Sequence, residues 1–286
     1  MWQALFRNFL YRAATRAASA AANERRAAPA SAGVDSGEPA APPPCAAGIV
    51  FALGIEAGGL VDRMSGVLRT AGEGFVAREG GLDGRRLAIV ESGIGMQAAA
   101  RGAEALITGH RPAWVLSAGF AGGLREEVRA GDIIMATQVV DLAGRRLEIE
   151  IGVSPAALAG CPGLRLGRLL TAERVIADPS EKRRLGEATG ALAVDMETFA
   201  VADVCRRERV RFLSVRVITD EVGQALPRDI DHLARQRSLP GRLGAAAGAI
   251  VRRPGSVKDM WKLKETAIAA SDRLARFLVG VVPQLQ

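Results

Sequence analysis

The chain has 286 residues, 49% of them apolar but only 4% aromatic, and a formal net charge of +7, which gives one large or two small domains with ample material for a core. Its arginines are spread along the sequence, more densely near both ends, with no stripe of interleaved aromatic and basic residues, so a basic surface is expected and a nucleic-acid partner is not. Cys45, Cys161 and Cys205 form no CxxC pair and His110 and His232 have no ligand spacing, which argues against a zinc site, a disulfide framework or a catalytic metal and for reduced thiols in the cytoplasm.

Residues 1–46 read as an extension. Trp2, Leu5, Phe6, Phe9 and Leu10 recur near helical spacing with Arg7, Arg12 and Arg16 between them, an amphipathic pattern, and 23–46 is rich in Ala, Pro and charge. Arg7 and Arg12 break the uninterrupted apolar run of about 7–15 residues that a secretory signal needs. A dispensable extension is the first reading and a weak membrane-surface contact, peripheral to the membrane, the second. The remaining residues, 47–286, form the predicted domain, with a helical insertion at about 224–262.

A short strand is predicted at Ile49–Leu53, followed by Gly54-Ile55-Glu56 and a helix from Ala57 to Leu68. Arg85–Val90 reads as a strand, and Ser92-Gly93-Ile94-Gly95 turns into a helix over Met96–Thr108, exposing backbone N–H groups where an oxygen-rich ligand can bind. Gly93, Gly95 and Ala98 also satisfy a permissive dinucleotide fingerprint. The next strand, Trp114–Ser117, runs into Ala118-Gly119-Phe120-Ala121-Gly122-Gly123, read as a turn, rather than into the acidic residue that would hold a ribose, which disfavours NAD.

Asp132–Val140 is a long predicted strand, 141–164 an irregular excursion, and Leu169–Ile176 another strand. Asp178-Pro179-Ser180 opens a helix with Pro in its first turn. A short apolar run then ends at Asp195-Met196-Glu197, a helix covers Phe199–Cys205, and a buried strand, Phe212–Ile218, stops on Asp220. Glu56, Glu197 and Asp220 are thus expected at the carboxyl ends of strands, the edge where open α/β sheets bind ligands. Carboxylates gathered there suit acid chemistry or the binding of sugar hydroxyls. Leu263, Ala267, Ala270, Leu274, Phe277, Leu278 and Val281, spaced by three, four and seven residues, give a terminal amphipathic helix.

Four ordered motifs carry a family resemblance. They are Glu56 after the first strand; E-S-G-I-G at Glu91–Gly95; S-A-G-F-A-G-G-L at Ser117–Leu124 followed by G-D-I-I at Gly131–Ile134; and V-D-M-E at Val194–Glu197 with V-R-V-I-T-D at Val215–Asp220. Together they resemble the purine nucleoside phosphorylases and nucleosidases, most closely the 5'-methylthioadenosine/S-adenosylhomocysteine nucleosidases, over roughly Gly48–Gly223 and the terminal helix. The resemblance implies a three-layer α/β/α phosphorylase-like fold around a mixed, twisted sheet, a homodimer, a small-molecule nucleoside substrate and no cofactor.

Carried over residue by residue, the resemblance implies that Asp220 protonates purine N7 and that Glu56 activates the attacking water. It places Glu197 on the ribose 2'- and 3'-hydroxyls with Met196 under the sugar, and Ser92 where the water or a ribose oxygen is held. Arg216 is similar to an arginine supporting the acids, Ile176 to a base-contacting backbone, and Gly95, Ala118 and Gly119 to the surrounding substrate-binding backbone. Val175 stands where the nucleosidases place an aromatic that stacks on adenine, and Asp195 where they place a Glu. The glycine-rich segments contain no Arg or Lys to clamp phosphate, so hydrolysis is favoured over phosphorolysis. The D-M-E form and the R-R-P-G segment at 252–255 also resemble hopanoid-associated members of the superfamily, which act on an adenosyl group attached to a lipid. A catalytically silent nucleoside-binding module is the competing reading from another class.

Overall fold

In a computed structural model of the chain, residues 44–226 and 256–285 are described, the side chains of 256–264 excepted. The amphipathic pattern at the N-terminus, most of the insertion after Pro227 and the R-R-P-G segment lie outside them.

In chain order the elements are β1 (Cys45–Phe51), α1 (Gly54–Val61), β2 (Ser65–Ala71), β3 (Val76–Leu82), β4 (Arg85–Glu91), α2 (Met96–His110), β5 (Trp114–Gly123), β6 (Ile133–Asp141) and β7 (Arg146–Glu148). There follow α3 (Pro155–Leu158), β8 (Leu164–Thr171), α4 (Pro179–Thr189), β9 (Ala193–Asp195), α5 (Thr198–Glu208), β10 (Arg211–Asp220) and α6 (Ser256–Val281), with a 3-10 turn over Val282–Gln284.

The strands form one mixed sheet in the order β10-β6-β8-β9-β5-β1-β4-β3-β2, with β7 on the edge of β6. Because β10 also pairs in parallel with β5 along its whole length, β5, β10, β6, β8 and β9 close into a ring, and β1, β4, β3 and β2 extend from it. Alternation along the strands sets the layers. Ile49, Phe51, Leu87, Ile89 and Leu116 face α1 and α6, burying Ala57, Leu60, Leu274 and Leu278. Val50, Ala88, Val90 and Val115 face the opposite way, toward Ala99, Ala103 and Leu106 of α2 and Val201 and Val204 of α5. The result is the expected three-layer α/β/α arrangement.

Four sequence expectations need correction. The helix read over Ala57–Leu68 is the shorter α1, which gives way to the edge strand β2. The Gly119–Gly123 turn is the second half of β5, paired with β10 and β9. The strand placed at Leu169–Ile176 begins and ends earlier, at Leu164–Thr171. The strand expected at Ile49–Leu53 begins and ends earlier, as β1 at Cys45–Phe51.

Two contacts fix the position of α1. Ser271 Oγ on α6 accepts the Gly59 N–H at 3.0 Å and lies 3.3 Å from the Glu56 carbonyl oxygen. Gly59 has to be glycine here, because a Cβ would come within 2.8 Å of the Ser271 carbonyl oxygen. The terminal helix therefore clamps the helix that carries Glu56.

Candidate active site

The carboxyl ends of β1, β5, β8, β9 and β10 surround a pocket of about 210 Å³, lined among others by Glu56, Phe120, Val175, Ile176, Met196, Glu197, Asp220 and Leu226. Three acids from distant parts of the chain thus share one concave site. A larger groove of about 410 Å³ is lined by Trp114, Glu148, Arg206 and Phe212. It lies near the starts of β5 and β10, the edge opposite to the one where open α/β sheets assemble ligand sites, and the three acids do not reach it.

Glu56 sits in the first turn of α1, 5% exposed. Its Oε2 accepts the Leu53 N–H and its Oε1 the Phe120 N–H, both at 2.8 Å, so the side chain joins the start of α1 to β5. Burial pushes its pKa above the ordinary 4.5, opposed by the nearby Arg216 and these backbone donors. Glu197 is the residue before α5, and its Oε1 accepts the Gly95 N–H at 2.8 Å.

Behind the acids lies a buried polar web. Arg216, 1% exposed, points from β10 and donates through Nη2 to Asp195 at 2.6 Å, Ser117 at 2.7 Å and Thr198 at 2.8 Å. Asp195 in turn accepts from Thr171 at 2.8 Å and from the Thr198 N–H at 3.0 Å. The second guanidinium nitrogen, Nη1, is buried with no hydrogen-bond partner among the described residues. Arg216 is opposite Gly119 in the β5–β10 register. A Cβ at Gly119 would lie 2.3 Å from Nη1 and 2.6 Å from Glu56 Oε1, so the absence of a side chain lets a cation and an acid converge over one backbone position.

Gly95, Gly119 and Arg216 therefore form the layer behind the lining rather than the lining itself, and Ala118, fully buried, belongs to the core under α1. Ser92 is 2% exposed and its Oγ lies 2.9 Å from the Gly93 carbonyl oxygen and 3.2 Å from that of Phe51. Two residues had escaped sequence reasoning. Phe120, in the stretch read as a turn, lines the pocket together with Val175. Lys182, within the charged run S-E-K-R-R, is fully buried with Nζ 2.5 Å from Asp220 Oδ2.

Burial, then the charge of Asp195, pushes Glu197 up to about 8, against the pull of Arg216. A raised carboxyl stabilises the fold most when protonated: the contribution is present below its unfolded value near 4.5 and is lost as pH rises through about 8. Glu56 acts in the same direction. Thermal stability is expected to fall between roughly pH 5 and pH 8, and Glu197→Gln to flatten that slope in melts across the range; an unchanged slope would remove Glu197 as its source.

Fold and pocket define an α/β enzyme whose acidic site opens at the carboxyl ends of its strands. The sequence model of the Phosphorylase superfamily matches residues 47–252, and the chain belongs to that superfamily. It is 30% identical over 210 residues to a 5'-methylthioadenosine/S-adenosylhomocysteine nucleosidase of Shewanella halifaxensis, covering 64% of this chain and 90% of that protein. To the nucleosidase of the same name from Geobacillus kaustophilus it is 29% identical over 200 residues, covering 62% and 85%. Among solved structures, the Neisseria meningitidis nucleosidase in complex with methylthio-immucillin-A superposes with a TM-score of 0.65 at 20% identity, over 83% of this chain and 98% of that one. An Asp-to-Asn variant of the Helicobacter pylori enzyme with 5'-methylthioadenosine in its active site gives 0.65 at 19% identity, over 84% and 99%.

Proposed function

We propose that this chain is a nucleosidase that hydrolyses the N-glycosidic bond of an adenine nucleoside of the methylthioadenosine/S-adenosylhomocysteine type and releases adenine. The observation that carries the reading is the convergence of Glu56, Glu197 and Asp220 on one pocket. The named relatives support the substrate class.

Cleaving such a bond passes through an oxocarbenium-like sugar, which calls for an acid on the leaving base, hydroxyl anchors and a nucleophile beyond C1'. Asp220 gives its proton to N7 while the C1'–N9 electron pair moves into the base. Glu197 holds the ribose hydroxyls: protonated near neutrality, its carboxyl offers one O–H donor besides its acceptor capacity. Water attacks C1' and passes a proton to Glu56. Arg216, buried behind Glu56 over the same backbone position, supports the acids from the layer behind the pocket. Met196 packs under the sugar, Ile176 and Val175 meet the base, and Gly95 fixes Glu197.

Water is favoured over phosphate because the pocket's cations are already matched. Arg174 pairs with Glu181, Lys182 with Asp220 and Arg216 with Asp195, while Glu56, ionised to serve as the base, would repel a dianion. A homodimer, a cytoplasmic location and a place in methionine salvage belong to the same proposal; no described helix is long and apolar enough to cross a membrane. The test is incubation with methylthioadenosine with and without inorganic phosphate. Adenine and free methylthioribose should form at the same rate in both. Release that requires phosphate and yields the sugar 1-phosphate would make the enzyme a phosphorylase, and no release would support the silent binding module.

A further inference from the structure

Lys182 on α4 has no exposed surface, and its ammonium group is fully used. Nζ donates to Asp220 Oδ2 at 2.5 Å, to the Gln224 carbonyl at 2.8 Å and to the Glu221 carbonyl at 3.1 Å. A buried ammonium is costly unless its charge is paired and its protons are all bonded. Both conditions are met here by Asp220 and the turn that follows it. The same turn brings Leu226 to the pocket, its N–H donating to the Ala177 carbonyl at 3.1 Å.

We infer that Lys182 is a positioning residue for proton delivery, serving as the buried counter-ion of the carboxylate that Asp220 becomes when its proton passes to the leaving base. The inference rests on the nucleosidase reading above. In the step, a proton that Asp220 has taken up from solvent leaves its O–H bond and forms the N7–H bond, the C1'–N9 electron pair enters the base, Asp220 returns to the carboxylate that Lys182 pairs with in the free enzyme, and Lys182 keeps its three protons. Without Lys182 the same transfer would create an unpaired negative charge in a site where Asp220 is only 5% exposed. With it, the charge appears beside an ammonium already in place, so no reorganisation is needed as the bond breaks. Oδ2 is fixed by the lysine, while Oδ1 has the Thr219 hydroxyl at 2.9 Å and is the oxygen left to serve the base.

The test is Lys182→Met assayed on methylthioribosyl purines whose 6-substituents withdraw electrons to increasing degrees, so that the bases leave with less and less need of a proton. With adenine as leaving group kcat should fall about 100-fold or more, the lower end of what general acid catalysis contributes, with KM changing far less. The ratio of wild-type to variant kcat should shrink steadily along the series. That slope does not depend on the amount of folded enzyme, so partial unfolding does not mimic it. Lys182→Gln, which can still donate to the carbonyls of Glu221 and Gln224 but lacks the charge, should steepen the dependence in the same way. A loss by the same factor for every leaving base, or no loss with adenine, would reduce Lys182 to a structural residue. A wild type that releases no base from any member would instead overturn the nucleosidase reading beneath it.

Discussion

Asp220→Asn is expected to cut the kcat for adenine release about 100- to 10,000-fold with little change in KM, the range that a positioned general acid contributes. The substitution keeps the shape of the side chain and its place at the end of β10, but an amide has no acidic proton to give to N7. It also leaves the fully buried Lys182 without a charged partner. Breaking a buried pair from one side costs about 3–5 kcal/mol, so a lowered melting temperature should accompany the loss. Rates are therefore compared below the variant's transition, per folded enzyme. Turnover equal to wild type would remove Asp220 from the chemistry.

Glu56→Gln should lower kcat on a similar scale of about 100-fold or more, since it removes the base from the water. The geometry adds a second effect. Both carboxylate oxygens accept backbone N–H groups, from Leu53 and from Phe120, and an amide can replace only one of them. The other donor would then face an NH2 group, at a cost of about 1–3 kcal/mol for a buried unsatisfied group. The rate loss should exceed any rise in KM, because in the proposed arrangement Glu197 rather than Glu56 grips the ribose. A variant that binds nucleoside weakly but turns it over at the wild-type rate would mean that Glu56 is a substrate anchor and not the base.

The site's principal acids were legible because a motif marks each one: Glu56 after an apolar strand, Glu197 in V-D-M-E, and Asp220 ending V-R-V-I-T-D. The two faces of the sheet were also legible, since strands such as Arg85–Glu91 have an apolar centre, Leu87–Val90, and helices such as Met96–His110 carry small residues on their inner side. Local pattern misled where tertiary pairing decides. Leu60, Val61, Met64 and Leu68 recur at helical steps, yet the chain turns after Val61 and joins β3 as an edge strand with most of its surface exposed. The glycines of Gly119–Gly123 look like a turn, but they are strand residues kept bare by their neighbours across β10. A Cβ at Gly122, for example, would come within 2.9 Å of Asp220 Oδ2. Lys182 was hidden for the opposite reason. In a run of five polar residues it reads as part of a solvated helix face, and only the packing of α4 against the end of β10 reveals that its ammonium is sealed in.

The central claim is that Glu56, Glu197 and Asp220 surround a single ribose with its base, and a crystal structure with methylthioadenosine or a non-hydrolysable analogue bound tests it most directly. The account predicts the nucleoside in the pocket at the strand carboxyl ends, with Glu197 on the 2'- and 3'-hydroxyls, Asp220 at N7, and Glu56 beyond C1'. A nucleoside seated instead in the groove beside Trp114 and Arg206, or one that leaves any of the three acids out of reach, would contradict it.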